Sequence, residues 1–181
     1  MRFRATLIAG LSLALLLPAD ASAQESQPSE YQVKAAFLFN FAKFVEWPPE
    51  SFAGETSPLV IGILGDSPFG GDLERIIQNK TINNRLIVIK PLSSLAEAKN
   101  CHILFISTSE KKRLAEIFDS LRGISVLTVS ETDGFTEAGG MINFDWEGKK
   151  IRFQINDEAA KKAKLKINSK LLSLAYHSAR Y

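Results

Sequence analysis

Short apolar runs that alternate with helical patterns constrain the fold of this chain more than any other feature. Strands buried on both faces are apolar along their whole length, which is typical of parallel sheets covered by helices. The alternation therefore predicts a single α/β domain of three layers with a mostly parallel sheet. The predicted strands are 59–64, 86–89 (ended by Pro91), 102–106 and 126–129, and the predicted helices are 69–78, 92–98 and 110–121.

The C-terminal part of the chain has a different pattern, in which apolar and polar residues alternate. This alternation predicts strands with one buried and one solvated face, and the turn at 147–148 joins them into an antiparallel hairpin. The apolar positions are Ile142, Phe144, Trp146, Ile151, Phe153 and Ile155, and the polar positions are Asn143, Asp145, Arg152 and Gln154. Two short helices are predicted after the hairpin, capped by Asn156 and Asn168.

A phenylalanine-rich segment precedes Pro48, with Phe37, Phe41 and Phe44 spaced by four and three residues. This spacing predicts a helix that the following prolines end. A helix that is apolar on most sides must be largely buried. The sequence leaves open whether its apolar face packs in its own domain or against a partner.

The N-terminus has two arginines, an apolar run at 7–17 and the sequence Ala-Ser-Ala at 21–23. This is the pattern of a secretory signal peptide, and the apolar run is short for a membrane span. We therefore expect a cleaved signal over 1–23, a mature domain over 24–181 and a periplasmic location. An N-terminal membrane anchor is the alternative.

The composition is that of a globular protein, with 45% hydrophobic and 23% charged residues. The formal net charge of +2 is too small to indicate nucleic-acid binding. Cys101 is the single cysteine, so the chain cannot form an internal disulfide. Because Cys101 opens an apolar run, we expect a small buried residue there; an intermolecular disulfide or a reactive thiol is the alternative.

Polar residues follow three of the predicted strands, at the carboxyl edge where ligands commonly bind in open α/β sheets. The candidate ligand pocket comprises Asp66, Ser67, Phe69, Ser107 and Ser130. The first of these segments could present backbone N–H groups to an anion. It lacks the glycine-rich phosphate-binding fingerprints, and a turn followed by a helix cap is the alternative.

No catalytic constellation is apparent in the sequence. There is no G-x-S-x-G elbow, and a serine triad would have to use His102 or His177, which lie far apart in sequence. No Cys/His cluster has the spacing of a zinc site. We therefore expect no enzymatic activity, no cofactor and no metal, with an uncharacterised hydrolase as the remaining alternative.

Several blocks of the chain together resemble the YfiR-like family. They are 31–48, 101–107, 139–144, 151–156 with Ala160, 165–167 and 171–172. The resemblance implies a small periplasmic, dimeric, non-enzymatic α/β protein. It further implies repression of a membrane diguanylate cyclase through its periplasmic sensor part, relief by an outer-membrane-associated partner that sequesters the repressor, and control of cyclic di-GMP and biofilm formation. Relatives with more cysteines can form internal disulfides, which the lone Cys101 does not allow.

These observations lead to two functional expectations. The first is a regulatory binding protein that restrains a membrane diguanylate cyclase or sensor kinase, with candidate contacts on the polar face of the hairpin at Asn143, Asp145, Arg152 and Gln154. The second is a periplasmic small-molecule binding protein that uses the pocket at the carboxyl ends of the strands.

Overall fold

The structure is a computed structural model, and it describes residues 28–148 and 150–175. The predicted signal peptide at 1–23 lies outside the described residues. The strands are β1 (Val45–Glu46), β2 (Leu59–Leu64), β3 (Thr81–Ile82), β4 (Arg85–Leu92), β5 (Ile103–Ile106), β6 (Leu127–Ser130), β7 (Ile142–Glu147), β8 (Lys150–Ile155) and β9 (Lys166–Ile167). The helices are α1 (Glu30–Phe44), α2 (Asp72–Ile77), α3 (Leu95–Ala98), α4 (Leu114–Ser120), α5 (Asp157–Lys162) and α6 (Ser169–Leu174).

A curled seven-stranded sheet in the order β3-β4-β2-β5-β6-β7-β8 forms the centre of the fold. Strands β4, β2, β5, β6 and β7 are parallel, while β3 and β8 are antiparallel at the two edges. The predicted α/β fold, mostly parallel sheet and C-terminal hairpin are therefore confirmed. Strand β2 lies between β4 and β5, so the carboxyl ends of β2 and β5 flank a topological switch point.

Helices cover both faces of the sheet, as a three-layer arrangement requires. Successive residues of a strand point to opposite faces. Accordingly, Ile103 and Phe105 of β5 belong to the core beneath α1, α2, α5 and α6, whereas Leu104 and Ile106 belong to the core beneath α3 and α4. All four side chains are fully buried, which explains why this strand is apolar throughout.

Helix α1 begins with a capping box in which the Ser29 side chain accepts from the backbone of Gln32 and the Gln32 side chain accepts from the backbone of Ser29. Phe41 of this helix is fully buried. Its ring lies 5.7 Å from that of Phe144 and 5.2 Å from that of Phe153, measured between centroids. The phenylalanine-rich face thus packs in the protein's own core, which settles the question left open by its spacing. After α1, strand β1 pairs with β9 in a separate two-stranded sheet.

Strand β4 is longer than predicted, and the prediction that Pro91 ends it is wrong. The strand continues to Leu92, and Pro91 pairs with Ile63 of β2. On the other side of β4, strand β3 pairs only with Arg85 and Leu86 among the described residues. Pro91 therefore lies on an edge of the sheet, where a residue without a backbone N–H group is tolerated.

Helices α2 and α4 are shorter than the helices predicted at 69–78 and 110–121 from the spacing of apolar residues. Helix α2 begins only at Asp72, because Gly70 has a φ of 54° that a helix does not allow. Residues 108–113 form a 3₁₀ turn that leads into α4. Phe69 consequently lies in a turn rather than in a helix.

Cys101 is a small buried residue, as predicted, and it packs against β2. A Cβ atom at Gly62 would lie 2.5 Å from the Cys101 Sγ atom, so only glycine fits at that point of the strand. Burial raises the pKa of the Cys101 thiol to about 11, which keeps the thiol protonated and unreactive at neutral pH.

Among the described residues, no helix is long and apolar enough to cross a membrane.

Candidate partner surface and ligand cleft

The hairpin of β7 and β8 forms one edge of the sheet and carries the predicted partner contacts. Its register places Asp145 opposite Arg152 and Asn143 opposite Gln154. The Arg152 Nε atom donates to the Glu147 carboxylate at 2.8 Å, and the Gln154 amide donates to the Asp145 carboxylate at 2.6 Å. We give the name hairpin surface to five solvent-accessible residues of this hairpin. Asp145, Glu147, Arg152 and Gln154 lie on one face, and Trp146 lies on the other.

Asn143, which was predicted to belong to this surface, is only 2% exposed. The loop between β6 and β7 contacts the residue opposite Asn143, because the side-chain amide oxygen Oε1 of Gln154 accepts from the Thr136 hydroxyl at 3.0 Å. Asn143 is therefore not part of the solvent-accessible surface of the hairpin, and its predicted exposure is wrong. Arg152 is exposed, and Asp145 and Gln154 are half-buried.

Trp146 is the largest exposed side chain of the hairpin surface, with 55% of its area accessible. It lies two residues after Phe144 on the same face of β7, and Phe144 is buried beneath α1. Helix α1 begins at Glu30, and the Trp146 indole N–H donates to the Glu30 carboxylate at 3.3 Å. Helix α1 therefore covers Phe144 but does not extend over Trp146, which remains accessible to solvent.

A buried lysine connects α1 to the carboxyl end of β6. Lys34 is 3% exposed and forms ion pairs with both Glu30 and Glu131. The Tyr31 hydroxyl donates to the Glu131 carboxylate at 3.4 Å, and the Lys34 ammonium lies 4.9 Å from the Tyr31 ring centroid. We call these four residues the Lys34 cluster. Through Glu30 it also contacts Trp146 of the hairpin surface.

The electrostatics of the Lys34 cluster keep its lysine charged. Burial alone would lower the pKa of Lys34, but the hydrogen bonds and negative charges of Glu131 and Glu30 outweigh burial, and the pKa lies above its ordinary value. Burial and the charge of Glu131 raise the pKa of Tyr31. At neutral pH the cluster therefore contains a lysine cation and a neutral tyrosine.

The structure does not assemble the ligand pocket predicted at the carboxyl ends of the strands. Phe69 is buried in the core, with its ring 4.8 Å from that of Phe105. Ser130 is fully buried, and its hydroxyl donates to the Ile106 carbonyl at 2.7 Å. Ser107 is also buried, and its hydroxyl accepts from the backbone N–H of Ser109. Asp66 and Ser67 are exposed, so the five residues share no accessible surface.

A cleft of about 550 Å³ opens at the opposite end of the sheet, where β2, β5 and β6 begin. Its size is within the range of small-molecule sites. We call it the amino-end cleft. Its lining includes Ser57, Val60, Lys99, His102, Ile124 and Lys164.

His102 is fixed in orientation next to this cleft. Its Nδ1 atom accepts from the backbone N–H of Val60 at 3.0 Å, so in the neutral ring the proton is on Nε2. Phe52 stacks on the imidazole at a centroid distance of 4.3 Å, and the Trp47 indole donates to the His102 carbonyl at 3.0 Å. Arg85 in turn lies 3.9 Å above the Phe52 ring. This packing leaves the imidazole little freedom to rotate.

A family model described as YfiR/HmsC-like matches residues 31–176. The chain belongs to the YfiR/HmsC-like family. The resemblance predicted from the sequence blocks is thereby confirmed, and the matched residues contain the whole seven-stranded sheet, the hairpin surface and the lining of the amino-end cleft. No curated protein matches the sequence of the chain.

The sequence pattern of this YfiR/HmsC-like chain does not predict the exposure of Trp146, the Lys34 cluster or the amino-end cleft. Trp146 occupies an apolar position of the alternation, so its exposure could not be read from the pattern. Lys34 lies among apolar residues of α1. A buried lysine is normally paired with an acid, so a lysine in such a segment indicates a buried ion pair. Within residues 28–148 and 150–175, no group of three His, Cys, Asp or Glu side chains could hold a metal ion.

The environment of His102 makes the stability of this YfiR/HmsC-like protein dependent on pH. Burial lowers the pKa of His102 below its ordinary value of 6.5; the nearby Ser51 carbonyl opposes this shift and the charge of Arg85 adds to it. The unfolded chain therefore takes up a proton near pH 6.5 that the folded chain does not. We expect the free energy of unfolding to fall between pH 7 and pH 5, with a slope of up to about 1.4 kcal/mol per pH unit.

Urea denaturation at a series of pH values measures this slope. His102→Asn keeps an acceptor near the Val60 N–H group and removes the titrating ring, so it should flatten the profile between pH 7 and pH 5. His177→Asn is the matched control, because it removes the other histidine of the chain. A profile that is unchanged in His102→Asn would contradict the assignment.

Proposed function

We propose that the chain is a periplasmic regulatory protein without enzymatic activity of its own, which restrains a membrane-bound signalling enzyme by protein–protein contact. The enzyme is a diguanylate cyclase or a sensor kinase, and the contact is with its periplasmic sensor part. Membership of the YfiR/HmsC-like family supports the regulatory role. The predicted signal peptide over 1–23 supports the periplasmic location.

The hairpin surface is the proposed contact site, and the exposure of Trp146 and Arg152, which lie on opposite faces of the hairpin, is the observation that carries this assignment. Tryptophan and arginine are the residues most enriched at binding hot spots. Both are restrained before any partner binds, Trp146 by Glu30 and Arg152 by Glu147. Side chains that are already ordered lose little conformational entropy on association, which favours their use as anchors.

Regulation follows from competition for the proposed contact. An outer-membrane-associated protein that binds the same chain would shift the population away from the complex with the signalling enzyme. The restraint would then end, and in the case of a cyclase the level of cyclic di-GMP and biofilm formation would rise. A homodimer is the proposed state of the regulator, as the resemblance to YfiR-like proteins implies.

Affinity capture from detergent-solubilised envelope of the source organism tests the proposal, with residues 24–181 as bait. We expect recovery of a membrane protein that has a periplasmic sensor and a cytoplasmic cyclase or kinase domain. Trp146→Ala and Arg152→Glu should each weaken its binding by at least about thirtyfold, because losing a hot-spot anchor costs about 2 kcal/mol or more.

Arg122→Glu is the matched control for these variants. Arg122 is an exposed arginine that also pairs with a neighbouring acid, Asp119, but it lies outside the hairpin. It should bind as the unmodified chain does. Equal binding by all three variants would remove the hairpin surface from the proposal, and recovery of no signalling enzyme by folded bait would remove the regulatory function itself.

A further inference from the structure

The amino-end cleft combines an apolar wall with an excess of positive charge. Val60 and Ile124 contribute apolar surface, whereas Lys99 and Lys164 bring two ammonium groups against a single lining carboxylate, that of Glu50. Neither lysine forms an ion pair with any residue in the described part of the chain. Both ammonium groups are therefore available to an incoming anion.

A buried hydrogen-bond donor adds to this positive lining. His102 is 6% exposed, and its Nε2 atom has no hydrogen-bond partner of good geometry among the described residues, although the Ser51 carbonyl lies near the ring. Because Nδ1 accepts from the Val60 N–H group, the unpartnered Nε2 carries the proton and can only donate in the neutral ring. A buried donor without a partner is unfavourable, and a ligand that brings an acceptor oxygen would relieve this cost.

Backbone geometry brings one of the two lysines to the cleft. Lys164 has a φ of 59°, in the left-handed region that residues other than glycine seldom adopt. It follows α5, and its N–H group donates to the Lys161 carbonyl at 2.9 Å. The strained residue directs the chain from α5 into β9 and places Lys164 opposite the segment that contains Lys99 and His102.

We infer that the amino-end cleft binds a small organic carboxylate that has an apolar body. The carboxylate pairs with Lys99 and Lys164, an acceptor oxygen satisfies the His102 donor, and the apolar body packs on Val60 and Ile124. The cleft lies at the amino end of the strands, whereas the hairpin surface is formed by β7 and β8 at the sheet edge. The inference does not depend on the proposed regulatory function.

Two ligands of the same shape, one with a carboxylate and one with a neutral amide, test whether binding to the cleft requires a negative charge. Isothermal titration of residues 24–181 with 4-phenylbutanoate should show saturable binding, and the neutral 4-phenylbutanamide should bind at least tenfold more weakly. N-acetyl-alanyl-phenylalanine, which ends in a free carboxylate, distinguishes a peptide C-terminus from a free small acid. Stronger binding of the peptide would assign the cleft to chain ends and overturn the small-acid inference.

Variants locate the binding site. Lys99→Gln and Lys164→Gln change exposed side chains, so the fold should survive, and each should weaken 4-phenylbutanoate at least fivefold. Lys111→Gln, an exposed lysine that does not line the cleft, should bind as the unmodified chain does. In ¹⁵N-labelled protein, the His102 Nε2–H resonance should shift on titration. Absence of saturable binding up to 10 mM, or equal affinity in all three variants, would overturn the inference.

Discussion

Lys34→Met should lower the free energy of unfolding by about 3–5 kcal/mol, because it leaves two carboxylates without their buried cation. The methionine keeps most of the apolar volume of the lysine stem, so the loss reports the charge rather than a cavity. Glu131 has a side chain that is only 12% exposed, so water cannot fully replace the lost partner. Urea denaturation monitored by tryptophan fluorescence measures the change.

Lys43→Met is the control for this substitution, since Lys43 lies on the same helix with an exposed side chain. It should change stability by no more than about 0.5 kcal/mol. Adding Glu131→Gln to Lys34→Met should restore part of the loss. A cost for Lys34→Met no larger than that of the control would show that the Lys34 cluster contributes nothing to the fold.

The same cluster predicts a loss of stability at high pH. The pKa of Lys34 is raised in the folded state, so the folded chain holds its proton more tightly than the unfolded chain. The stabilisation is therefore fully present below the ordinary lysine pKa of 10.5 and disappears as the pH rises through the raised value. Lys34→Met should lack this alkaline component.

Phe41→Ala should also cost about 3–5 kcal/mol, because the ring is fully buried and its removal leaves a cavity between α1 and the hairpin. Three aromatic neighbours, Phe37, Phe144 and Phe153, would lose contacts with it. The substitution should therefore loosen the hairpin as well as α1. Hydrogen exchange of the β7 and β8 amides measures this second effect.

Phe39→Ala is the matched control, since Phe39 is on the same helix but only partly buried, with Lys43 and Lys80 over its ring. It should cost less than half as much as Phe41→Ala and leave hairpin exchange unchanged. Equal costs for the two variants would contradict the assignment of Phe41 to the centre of the core.

The fold was predictable because the local sequence is enough to identify its central strands. β2 and β5 are apolar at every residue and have helical patterns between them, a combination that few architectures other than a covered parallel sheet accommodate. Pro91 shows the limit of local reasoning. Whether a proline can remain in a strand depends on its position in the sheet order, and strand order is a property of the whole chain.

The candidate sites were less predictable, because exposure is set by distant segments. The alternation of apolar and polar residues in the hairpin predicts the correct face of the sheet for Asn143 and Trp146. It does not predict whether either side chain is accessible to solvent. The loop at 131–141 buries the first, and the start of α1 leaves the second uncovered. The amino-end cleft combines residues from 50–60, 99–102, 123–125 and 164, and no local pattern connects them.

Cyclase activity in envelope vesicles is the most direct test of the central claim. Vesicles with the periplasmic face outside, loaded with GTP and ATP, would be incubated with residues 24–181, and formation of cyclic di-GMP and kinase autophosphorylation would be measured. We expect the unmodified chain to lower one of these two activities, Arg122→Glu to do the same, and Trp146→Ala and Arg152→Glu to leave it unchanged. Cyclase and sensor-kinase activities that are both unchanged by the folded, unmodified chain would contradict the proposed regulation.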